Sequence, residues 1–174
     1  MDPILVAVKF DRVFNFLARG EAFNSKFSKA MYAKLNMLPI YRPETMPDDV
    51  HKNKFVFEKC YEHLENRKAI MMFPEGFSKT ERRLRPIKTG LARMALGAEA
   101  ENDFKLGTKV VAIGLNYSDP HIFRSDVFIN VSDVIDVREY KDMYEENPKT
   151  AIDALTARVK EEICLLYTSD AADD

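Results

Sequence analysis

Short apolar runs set between stretches of helical spacing constrain this chain more than any other feature. Ala69-Ile70-Met71-Met72-Phe73 is closed by Pro74 and Gly76, and a second run extends from Lys109 to Leu115. Runs this short and this apolar are strand-sized and buried on both faces, which in a sheet requires cover above and below. Leu38-Pro39-Ile40-Tyr41-Arg42 reads as a further short strand, Asp126 to Val131 alternates like one, and residues 4–8 and 12–23 read as strand or short helix. Between them lie the helical patterns. Ser25 is placed to cap a helix to about Asn36 with Phe27, Ala30, Met31, Lys34 and Leu35 on one face. After a loop at 43–47, Asp48 opens a helix to about residue 66, with Val56, Cys60 and Leu64 four apart. A helix from Thr89 turns Leu91, Met94, Ala95 and Ala98 inward, and Asn147-Pro148 starts one on which Ala151, Leu155, Val159 and Ile163 repeat. The expectation is an α/β fold: a mixed, mostly parallel central sheet covered by helices.

The length of 174 residues suits one domain with a real core, and 46% hydrophobic with 31% charged residues is a globular balance. A formal net charge of -2 offers no whole-chain field for nucleic acid, so no nucleic-acid partner is expected. Cys60 and Cys164 lack metal-ligand spacing and suit a reducing compartment. No apolar stretch approaches the roughly 20 residues that span a bilayer, and no signal peptide follows Met1. Neither a Gly-x-Gly-x-x-Gly nor a Gly-x-x-x-x-Gly-Lys-Ser/Thr motif is present, which argues against a nucleotide-binding domain.

Residues from Cys164 to Asp174 continue no periodicity and end acidic. They resemble the translation of a transposase adaptor used in preparing sequencing libraries, so 164–174 is expected to be a non-native tail behind a domain at 1–163.

The sharpest chemical feature is Phe73-Pro74-Glu75-Gly76. Proline ends the ladder, glycine permits a tight turn, and Glu75 is left at a strand's C-terminal edge, where open α/β sheets place their ligands. An ordinary turn with a solvated glutamate is the alternative. Downstream, Lys79, Arg82, Arg83, Arg85 and Lys88 face only Glu81, and this basic loop empties into the helix start at Thr89-Gly90. Basic side chains near free helical N–H groups make a phosphate site, unless the loop is simply solvated.

Together, Phe73-Pro74-Glu75-Gly76 and Leu84-x-Pro86-x-Lys88-x-Gly90 resemble the third sequence block of the PlsC-type glycerolipid acyltransferases. Phosphatidate-forming members continue Thr-Arg-Ser after the glycine. Here Phe77, Ser78 and Lys79 stand instead, which with Lys88-Thr89-Gly90 is more like the glycerol-3-phosphate acyltransferase relatives. Leu38 to Arg42 resembles the second block, and Val110 to Tyr117 the fourth, with Ala112 in place of the usual proline. The likeness covers about residues 2–135. It implies a PlsC-like acyltransferase domain. Arg42 is implied to hold the acceptor's phosphate, with Lys79, Arg82 and Lys88 as further candidates, and Phe73, Pro74, Glu75, Gly76 and Ser78 to form the acceptor site, Glu75 counting as a catalytic residue as well.

The family's first block is Asn-His-x-x-x-x-Asp, where histidine is the general base. Asp2 resembles its aspartate, so a partial domain is expected, with the histidine five positions ahead of Asp2 and these 174 residues inactive alone. Neither His51, His63 nor His121 has a catalytic motif around it, and no Gly-x-Ser-x-Gly is present. The reaction implied is acyl transfer from acyl-CoA or acyl carrier protein to glycerol-3-phosphate or its 1-acyl derivative, with no metal and no cofactor beyond the donor. The resemblance also implies a peripheral or anchored place on the cytoplasmic face of a membrane. A lipid- or phosphate-binding module that kept this fold without catalysis is the alternative.

Overall fold

In a computed structural model of the chain, residues 2–42, 45–74, 86–119 and 126–168 are described. They divide into two units, Met1–Phe73 and Pro74–Asp174. The fold class is the expected mixed α/β, with its parallel strands in the first unit.

In that unit α1 (Asp2–Lys9) turns Val6 inward and leaves Ile4 and Val8 exposed, so this apolar run is helix rather than strand. Then follow β1 (Phe14–Arg19), a 3₁₀ turn at Gly20–Phe23, α2 (Lys26–Lys34) and β2 (Met37–Ile40). Ser25 caps α2 as expected. Its Oγ accepts from the Ser28 N–H at 3.0 Å, while the Ser28 hydroxyl accepts from the Ser25 N–H at 3.1 Å. The face expected to enter the core is nevertheless exposed at Phe27, Ala30, Met31, Lys34 and Leu35. Tyr32 makes the inward contact instead, its ring 5.0 Å from that of buried Phe23. The expected 48–66 helix is in two parts: a 3₁₀ turn at Pro47–Lys52, then α3 (Asn53–Glu65) burying Val56 and Cys60. β3 (Ala69–Met71) completes a sheet of order β2-β1-β3 with both pairings parallel. Buried Asn15 is satisfied within the sheet, its Nδ2 donating to the Ala69 carbonyl at 3.2 Å.

The second unit holds α4 (Gly90–Glu101), β4 (Lys109–Val110), β5 (Ile113–Tyr117), β6 (Val127–Val131), β7 (Ile135–Asp136), a 3₁₀ turn at Val137–Tyr140, α5 (Lys141–Glu146) and α6 (Pro148–Thr168). The single strand expected over 109–115 is broken at Val111-Ala112. β4 pairs antiparallel with β7, and β5 pairs antiparallel with β6. Ser132 makes the break possible: its Oγ accepts from the Ala112 N–H at 2.9 Å, and its N–H donates to the Ala112 carbonyl at 3.0 Å. Both backbone groups of Ala112 are thereby paired where the chain changes partner.

Asn147 caps α6 as expected, its side chain accepting from the Lys149 N–H at 3.0 Å. Ala151, Leu155 and Val159 join Leu96, Val110 and Val137 in the core. The expected break in periodicity at Cys164 does not occur. α6 runs on to Thr168, and Leu166 is buried against Gly114, where a Cβ would stand 3.2 Å from that of Leu166. Glycine on β5 thus makes room for the helix's last buried leucine.

Candidate functional site

Because β1 and β2 run parallel with Arg19 opposite Ile40, their C-terminal ends open at one edge. Gly20-Glu21 follows the first strand there and Tyr41-Arg42 the second. Gly20 is buried beneath the Tyr41 ring, and a Cβ on it would lie 2.7 Å from Cδ1 and 2.9 Å from Cε1 of that ring. Only glycine lets the backbone pass so close.

Asn53 fixes the second arm of the site. Its Oδ1 accepts from the Tyr41 N–H at 2.9 Å and its Nδ2 donates to the Tyr41 carbonyl at 2.6 Å. Arg42 therefore departs from a clamped backbone. Beside it, the Thr45 hydroxyl bonds the Glu21 carboxylate and is the main cause holding that carboxyl below its ordinary range. A backbone hydrogen bond and the charges of Arg42 and Arg19 act in the same sense, while burial opposes them. One ionised carboxylate among two guanidinium groups leaves the edge net positive. An arginine side chain at such an edge offers a planar fork suited to a phosphate.

Next to this edge lies an open depression of about 530 Å³, walled by Pro39, Tyr41, His51, Lys52, Phe55 and Val56, with Lys54 and Glu58 also lining it. The Lys52 ammonium stands 5.6 Å from the Tyr41 ring centroid, and its bond to Asp49 raises its pKa. Of the histidines without a motif, His51 thus lines this depression. His63 lies on α3, where burial holds it below the ordinary range, and His121 lies outside the described residues.

The other expected site residues divide. Asp2 is the first residue of α1. Phe73, half exposed, closes the first unit just after β3. In the second unit the Lys88 N–H donates to the Pro74 carbonyl at 3.1 Å. That bond joins the two halves of the third block, and Lys88 leads directly into Thr89 and α4, whose first turn has no side-chain cap. Glu75, Gly76, Ser78, Lys79 and Arg82 lie outside the described residues. Sequence reading missed Glu21, Thr45 and Asn53. Gly20-Glu21 behind an apolar strand was the available signal, whereas Thr45 and Asn53 matter through contacts that no local motif carries. Among the described residues, no group of three or more His, Cys, Asp or Glu side chains is placed to hold a metal ion. No helix among them is long and apolar enough to cross a membrane.

Residues 1–116 match the family model described as Acyltransferase. The chain belongs to the acyltransferase family. The match runs from α1 into β5 and includes the whole Glu21–Arg42 edge. Glycerol-3-phosphate O-acyltransferase 1 of Saccharomyces cerevisiae is 36% identical over 100 residues, 58% of this chain and 13% of that protein. Glycerol-3-phosphate O-acyltransferase 2 of the same yeast is 34% identical over 108 residues, 62% of this chain and 14% of that protein. An uncharacterized acyltransferase of Schizosaccharomyces pombe is 29% identical over 92 residues, 52% of this chain and 14% of that protein. The chain thus aligns with only a small part of each acyltransferase relative. No solved structure matches it.

Proposed function

We propose that this chain is part of an enzyme that moves a fatty acyl group from a thioester, acyl-CoA or acyl carrier protein, to the hydroxyl of glycerol-3-phosphate in glycerolipid synthesis. The observation that carries the reading is Arg42, set by the Asn53 clamp and the Glu21–Thr45 pair at the sheet edge of an acyltransferase-family domain. Both yeast relatives are named for glycerol-3-phosphate, and Ser78 with Lys88-Thr89-Gly90 favours that acceptor over its 1-acyl derivative.

An alcohol is a poor nucleophile at neutral pH, so a base must take its proton as it attacks the thioester carbonyl. On this reading the base is a histidine five positions ahead of Asp2, and the Asp2 carboxylate orients that ring and stabilises its charged form. The acceptor oxygen bonds to the carbonyl carbon, the carbon–sulfur bond breaks, and the thiolate leaves with the proton. Arg42 binds the acceptor's phosphate, assisted by Lys79, Arg82 and Lys88, while Phe73 to Gly76 and Ser78 shape its site. Donor and product are amphiphilic, which supports a peripheral or anchored place on a membrane; the cytoplasmic face is the part of this reading that rests on the family resemblance alone.

Calorimetric titration with glycerol-3-phosphate tests the site without requiring turnover. Arg42→Ala should weaken binding by about 1.5–3 kcal/mol, the range for hydrogen bonds to charged groups. Unchanged affinity would remove Arg42 from the acceptor site.

A further inference from the structure

The face of α2 that helical spacing marks as a core face points to solvent. Phe27, Met31 and Leu35, four residues apart, are 78%, 39% and 52% exposed. Large apolar side chains in a continuous row on a helix are uncommon on a surface that meets only water. The helix is well made, with a full capping box at Ser25, and its inner side is already occupied by the Tyr32–Phe23 contact. Repacking inward is therefore not open to this row. Exposed Lys26 and Lys34 border it, and Lys26–Lys34 contains no acidic residue.

An apolar row bordered by cations and free of acids complements one surface chemistry, the headgroup layer of an anionic bilayer. We propose that α2 docks on such a bilayer, Phe27, Met31 and Leu35 entering the interface while Lys26 and Lys34 meet anionic headgroups. The inference rests on the membrane location proposed above and assigns it a contact surface. Its geometry is compatible with the candidate site, since α2 lies between Gly20–Phe23 and β2 and packs on both.

The test is co-sedimentation of the 174-residue chain with vesicles of phosphatidylserine and phosphatidylcholine, against phosphatidylcholine alone. Binding should be strong only on the anionic vesicles. Phe27→Ser/Met31→Ser/Leu35→Ser should reduce it at least about tenfold, and Lys26→Glu/Lys34→Glu by about fivefold or more per lysine. The substituted side chains are exposed, so circular dichroism should show both variants folded. The chain contains no tryptophan, so Phe27→Trp adds a single fluorophore whose emission should move to shorter wavelength with anionic vesicles. Binding that survives the triple variant, or occurs without the spectral shift, overturns docking through α2 and leaves the membrane location standing. No binding by the unaltered chain also overturns it, whereas fractionation of the longer protein tests the location separately. Self-association through this face, seen as a concentration-dependent mass that the triple variant abolishes, would overturn it in favour of a second copy.

Discussion

Replacing Gly20 by alanine tests whether the sheet edge depends on close passage beneath Tyr41. The Cβ would lie 2.7 and 2.9 Å from two ring carbons and 3.2 Å from Met46 Sδ. Carbon atoms pack best at about 3.5–4.0 Å, so the ring must move by roughly 1 Å. It cannot do so by shifting its backbone freely, because Asn53 bonds both the N–H and the carbonyl of Tyr41. Overpacking of this kind costs about 1–3 kcal/mol, and alanine returns about 0.4–1 kcal/mol by restricting the unfolded chain. A net loss of about 1–2 kcal/mol should lower the midpoint of thermal unfolding by about 2–8 °C for a chain of this size. Calorimetry gives the midpoint, and titration with glycerol-3-phosphate shows whether the displaced Tyr41 carries Arg42 with it. Both stability and affinity should fall. An unchanged or raised midpoint would show that the ring turns aside freely and that Gly20 is not required by sterics.

Three further outcomes follow from the second unit and the buried thiol. The Arg138 guanidinium, assisted by the Lys109 ammonium, holds the Asp136 carboxyl well below its ordinary range. A lowered folded-state pKa contributes stability above the unfolded value of about 3.9 that is lost as pH falls. Asp136→Asn should thus reduce stability at neutral pH and flatten its decline into acid, seen in melts across that window; equal slopes would refute the linkage. Burial pushes the Cys60 thiol up to about 12, so a thiol reagent should label Cys164 in the native protein and Cys60 only after unfolding. Two rapid native equivalents would contradict that burial. Truncation after Ile163 removes buried Leu166 and should cost about 1.5–3 kcal/mol, whereas truncation after Thr168 should leave the midpoint in place. Equal midpoints would show that the end of α6 contributes nothing.

Local rules made much of the architecture legible. The Ser25 cap, the Asn147 cap, the four-residue repeat along α6 and the parallel apolar strands follow from side-chain chemistry within a few residues of sequence. The three blocks at 38–42, 73–90 and 110–117 were likewise readable, and the family match over 1–116 bears out the resemblance they carry. What could not be read depended on partners distant in the chain. The helical period marks an apolar face on α2 but not its direction, which was decided when Tyr32 met Phe23. The apolar run at 109–115 looked like one strand until Ser132 offered hydrogen bonds that divide it between two partners. Cys164 to Thr168 looked unpatterned because the leucine that continues the helix is accommodated by a glycine on β5. At the candidate site the sequence by itself pointed to Arg42, since the resemblance of 38–42 to a family block singles it out. Only the tertiary structure brought Glu21, Thr45 and Asn53 to the same edge, because the ends of parallel strands gather residues that chain order keeps apart.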